Sequence, residues 1–157
     1  MSEDRFCMSV PSGSVSLAAL DALAEEALEA LTVANVAYLR DHPETPPFFE
    51  SGVRYRLDDS DDNEWITIPE ILDRGHGDCD MLAPWLAAEI RYRHGAHAKV
   101  RLVQPSSRPE DERVRHAGVF SPAYAKSLAA AYPQLSADET VRLGYVDPSA
   151  MMLVRNG

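Results

Sequence analysis

Cysteine is scarce in this chain of 157 residues: there are two, Cys7 and Cys79. A disulfide framework is therefore not expected, and Cys79, in mid-chain, needs another explanation. Lysine is scarce as well, with Lys99 and Lys126 the only two among 15 basic residues, a bias read as codon usage without functional weight. No stretch approaches the ~20 consecutive apolar residues that a membrane-spanning helix requires. Met1 to Pro11 lacks the basic start and apolar core of a secretory signal, so the expected location is the cytoplasm or a particle that carries the protein. Positive charge is in deficit, 15 Lys plus Arg against 25 Asp plus Glu, for a net charge of −10. That balance repels a polyphosphate backbone, and neither nucleic acid nor a membrane is an expected partner. The deficit is uneven: Arg91, Arg93, Lys99, Arg101, Arg108, Arg113 and Arg115 cluster in one stretch, while Asp58 to Glu64 is almost purely acidic.

What is present suits one globular domain. Apolar residues make up 45% of the chain, with 2 Trp, 6 Tyr and 4 Phe, enough apolar surface to offset the conformational entropy of folding. Residues 1–13 show no period and read as a flexible leader to a single domain over 14–157. Leu17, Leu20, Leu23, Leu28, Leu31, Val36 and Leu39 recur at helical spacing, with Glu25, Glu26 and Glu29 between them. They predict an N-terminal amphipathic helix over 14–41 that covers one face of the core. A short strand is expected at Val53 to Leu57 and a solvated acidic loop at Asp58 to Glu64. Thr67 and Glu70 have the spacing of a capping box, opening a short helix that ends before Gly75. Asp78 then caps a second helix that Gly95 ends, with Pro84 close enough to its start to leave the hydrogen bonding intact. Strands follow over Ala98 to Val103, Val114 to Phe120 and Val141 to Val146, with an alanine-rich helical stretch from Ser121 to Tyr132. Helices first and mostly antiparallel strands after give an α+β fold class.

Cys79 falls at the predicted helix start, where backbone N–H groups and the helix dipole favour a thiolate, and Gly75 and Gly77 leave room for a substrate carbonyl. A nucleophilic thiol also needs a base and a group to orient it. His116, on a predicted strand, and Asp147, at the end of the next one, complete a Cys, His, Asp order. A buried cysteine of ordinary packing and an aspartate of an ordinary turn are the alternatives.

Gly77-Asp78-Cys79-Asp80 at a helix start, His116 in a strand and Val146-Asp147-Pro148-Ser149 together resemble the transglutaminase-like cysteine superfamily. Phe49-Glu50-Ser51-Gly52-Val53-Arg54-Tyr55 and Trp65-Ile66-Thr67-Ile68-Pro69-Glu70-Ile71-Leu72 are similar to small members encoded in bacteriophages and prophages. The likeness covers a core of residues 48–153. It implies a papain-like fold with the nucleophile helix packed on an antiparallel sheet. It also implies hydrolysis or acyl transfer at peptide or amide bonds, with Cys79 as nucleophile, His116 as base and Asp147 as orienter. No cofactor and no metal are implied; the partners would be a protein or peptide substrate, or phage capsid or tail proteins where the fold has lost its chemistry. Trp65 and Asp78 are candidate oxyanion or cleft residues, because Asp73 occupies the place of the papain-type glutamine and is a poor donor. Ser121 to Glu139 reads as an insertion over the site.

Overall fold

The computed structural model of the protein describes residues 15–56, 64–103, 116–124 and 145–146. Helix α1 runs Leu17–Asp41, started by the Ser16 side chain, which accepts a hydrogen bond from the Ala19 N–H at 3.2 Å. Its buried face is Leu28, Thr32, Asn35 and Leu39, one stripe at helical spacing. Two members of that stripe are polar, and both are used. Thr32 Oγ1 donates to the Leu28 carbonyl at 2.8 Å, and Asn35 Oδ1 accepts from the Ile68 N–H at 3.1 Å.

A short 3-10 helix at Phe48–Glu50 and strand β1, Arg54–Tyr55, lead to helix α2, Ile68–Arg74. The expected capping box of Thr67 and Glu70 is not formed: the Thr67 side chain makes no capping bond, and the Glu70 carboxylate takes Arg74 Nη2 at 2.6 Å instead. Asn35 of α1 supplies the missing acceptor for the first turn of α2. Strand β2, His76–Gly77, pairs in parallel with β1, Arg54 opposite His76. Helix α3, Cys79–His94, follows at once. Gly75 and Gly95 end the two helices at φ 72° and 61°, left-handed positions that an L side chain disfavours.

Pro84 corrects the sequence expectation: it is the sixth residue of α3 and lies inside the helix, where the N–H it lacks would have served the Asp80 carbonyl. The helix continues past it because almost every residue from Cys79 to Ile90 is packed into the core.

The second sheet is antiparallel in the order β3-β4-β5, comprising Lys99–Val103, His116–Phe120 and Tyr145–Val146, with Val103 opposite His116 and Val119 opposite Val146. Helix α3 lies between α1 and this sheet, packed on β4, while α1 reaches over to β3. Trp85, Leu82, Leu86 and Ile90 are fully buried, and Trp85 meets Phe48 edge-on, with ring centroids 5.2 Å apart. The protein is thus a mixture of helices and two small sheets, compatible with α+β. No helix among the described residues is long and apolar enough to cross a membrane. The leader over 1–13, nearly all of the acidic loop and the stretch beyond Tyr124 up to β5 lie outside the described residues.

Side chains across the elements fix α3 in place. Arg91 gives both terminal nitrogens to the Glu29 carboxylate of α1, each at 2.7 Å, and its Nε to the Ala98 carbonyl at 2.7 Å. Glu89, 2% exposed, accepts the Phe48 N–H at 3.1 and 2.9 Å and lies 3.3 Å from Arg93 Nη1. Arg93 also donates to the Thr45 carbonyl. Glu25 of α1 accepts from the Leu102 N–H of β3 at 3.0 Å.

Candidate active site

The sequence puts a glycine, an aspartate and a cysteine at the start of α3, and the backbone there is tightly built. Asp78 occupies the N-cap position: its carbonyl accepts the Leu82 N–H at 2.9 Å, the first bond of the helix, while its side chain makes no capping bond. A Cβ on Gly77 would stand 3.3 Å from both Met81 Cβ and Leu82 Cδ2, so the absence of a side chain lets β2 run directly against the helix start.

Cys79 is the first residue of the helix and 6% exposed. The backbone N–H of Ala117 in β4, the residue after His116, lies on the sulfur side and favours its charged form. The packing of α3 on β4 therefore brings the predicted nucleophile to the residue next to the predicted base. His116 is half-buried at the start of β4. Asp147 follows Val146 of β5 in sequence and lies outside the described residues.

The electrostatics reverse the expectation of a thiolate. Cys79 Sγ donates to Asp80 Oδ1 at 3.2 Å. The thiol is pushed from 9.0 up to about 12, by burial first and by the Asp80 charge second, with the Asp80 hydrogen bond and the Asp78 charge adding to both. Among the described residues, only the Ala117 N–H acts the other way. The helix dipole favours an anion at this end, but a sulfur removed from water beside two carboxylates keeps its proton.

Trp65, a candidate oxyanion or cleft residue, has its indole N–H already committed: Nε1 donates to Asp80 Oδ2 at 3.1 Å. One carboxylate thus links the thiol to a ring that is 37% exposed. Asp80 escaped the sequence reading as a site residue; its position next to Cys79 was the available signal. Trp85 of the same helix is fully buried in the core. His76 lies in β2, on the far side of Gly77 from the thiol in sequence. Set against family models, curated proteins and solved structures, the chain matches none.

Proposed function

We propose that the chain is a cysteine-dependent hydrolase or acyltransferase with a papain-like, transglutaminase-like fold, acting on peptide or amide bonds. The observation that carries this reading is the Cys79 sulfur at the start of α3, a helix packed on β4, the strand that begins at His116. In this reading His116 takes the thiol proton and the sulfur attacks the carbonyl carbon. The carbonyl electrons move onto oxygen, and the amine leaves with the proton returned by His116. Water or a second amine then displaces the sulfur from the thioester. Asp147 is the residue proposed to orient the imidazole. The Ala117 N–H stabilises the sulfur as charge develops on it, and no metal or organic cofactor enters the scheme.

The test is alkylation of Cys79 by iodoacetamide in a Cys7→Ser background, followed by mass spectrometry. His116→Ala is expected to slow labelling at least about tenfold at neutral pH, the usual scale for loss of a positioned base. Equal rates in the two proteins overturn the reading.

A second reading has its own observation: the protonated, buried thiol is what an inert cysteine looks like. The chain is then a transglutaminase-like fold without chemistry, serving as a structural or adaptor protein, with phage capsid or tail proteins as its partners. A Cys79→Ala gene that supports particle assembly as well as wild type, where deletion of the gene does not, favours it; a defect in the point variant removes it.

A further inference from the structure

The carboxylate of Asp80 lies between two donors on separate segments of the chain. Its Oδ1 accepts the Cys79 thiol at 3.2 Å, and its Oδ2 accepts the Trp65 indole N–H at 3.1 Å. Trp65 comes from the segment that leads into α2, and Asp80 and Cys79 come from the first turn of α3. An acidic residue in a first helical turn ordinarily needs no partner beyond the backbone dipole. Here the indole holds the carboxylate on the sulfur side and away from free rotation into water. The thiol is closed off from solvent at 6% exposure, whereas the indole is 37% exposed, so the link runs from a buried reactive atom to an accessible ring.

We propose that Asp80 is a positioning residue that keeps Cys79 in its resting S–H form, and that Trp65 is the anchor that holds Asp80 there. It rests on the reading of Cys79 as a nucleophile and deepens it, by assigning regulation to the same site. Contact of a substrate with the Trp65 ring competes for the indole N–H and lets the carboxylate turn away from the sulfur. The Ala117 N–H beside the sulfur then favours the thiolate. Among the described residues, the charged groups that face the thiol are Asp80 and Asp78 at the start of α3, and His116 adjoins the Ala117 N–H on β4.

The experiment is the pH profile of Cys79 alkylation by iodoacetamide, again with Cys7→Ser. The thiolate displaces iodide, and the rate follows the thiolate fraction. Asp80→Asn keeps the size and an acceptor for the indole but removes the charge. The midpoint is expected to fall by at least about one pH unit, a roughly tenfold faster reaction at pH 8. Trp65→Phe, which removes only the anchor, is expected to shift the midpoint in the same direction by less. Asp80→Glu keeps the charge and is expected to stay nearer to wild type than Asp80→Asn. Midpoints for Asp80→Asn and Trp65→Phe that coincide with wild type, in proteins with unchanged circular dichroism, overturn the proposal. The two readings separate. A downward shift in Asp80→Asn with no effect of His116→Ala keeps the Asp80 assignment and removes the enzyme. No shift with a slowed His116→Ala does the reverse.

Discussion

Helix α3 carries charged residues at both ends. At its start, Asp78 and Asp80 flank a thiol, and the nearest acidic oxygen accepts the thiol hydrogen. Toward its other end, Glu89, Arg91 and Arg93 reach the neighbouring elements in opposite-sign pairs that also engage backbone groups of Phe48, Ala98 and Thr45. Burial is deep in both places, with Cys79 at 6% and Glu89 at 2% exposure. The difference lies in what meets the buried group. Acids around a thiol leave it neutral, whereas a guanidinium and a peptide N–H around a carboxylate partly offset its desolvation. One end fastens the helix, and the other holds a buried thiol against a carboxylate.

The largest effect on this contrast is expected from Glu89→Ala. It leaves the Phe48 N–H and Arg93 without their acceptor and should cost about 3 kcal/mol in urea unfolding. Arg91→Ala, which releases both Glu29 and the Ala98 carbonyl, should cost about 2 kcal/mol by the same measurement. At the other end, the sign follows from a thiol pKa raised in the folded state: the stability it contributes is present below pH 9.0 and is lost as pH rises toward about 12. Cys79→Ala removes that loss, so the gap between variant and wild type should narrow by about 1 kcal/mol on going from neutral pH to about pH 10. An unchanged gap would show that the thiol is not held neutral.

The smallest effect separates two carboxylates around α3. Burial first raises Glu89 above 4.5, so its contribution is complete below pH 4.5 and falls as pH climbs through its folded value. Glu29 is held below 4.5, chiefly by its hydrogen bond from Arg91, so its contribution is present above pH 4.5 and lost as pH falls. Glu89→Gln and Glu29→Gln should therefore flatten the stability profile on opposite sides of about pH 4.5. Flattening on the same side would break the contrast.

Helix starts and ends were legible where the signal is local. Asp78, Gly75 and Gly95 mark boundaries that the structure keeps, whereas of the apolar positions named on α1 only Leu28 and Leu39 are buried and Leu17 is exposed. The capping box failed because Arg74 takes the Glu70 carboxylate, while the Glu70 N–H bonds the Thr67 carbonyl and not its side chain. The partners of Glu25, Glu29 and Arg91 lie on distant segments, a relation that periodicity does not record. At the site, the chain order of Cys79 and His116 could be read, and α3, which begins at Cys79, packs on β4, which begins at His116. The state of the thiol could not be read, since it depends on burial and on a carboxylate tethered by a tryptophan 15 residues earlier.

The bond from Leu102 to Glu25 has a consequence beyond fastening α1. Within the described sheet β3 is an outer strand, and such a strand offers outward N–H groups on which a foreign strand can assemble. Glu25 occupies one of them with a carboxylate, which no incoming backbone can displace without meeting a negative charge and the α1 helix behind it. The helix that covers the core thereby also guards the sheet against growth from that side, so a Glu25→Ala chain would gain a route to self-association without losing its core.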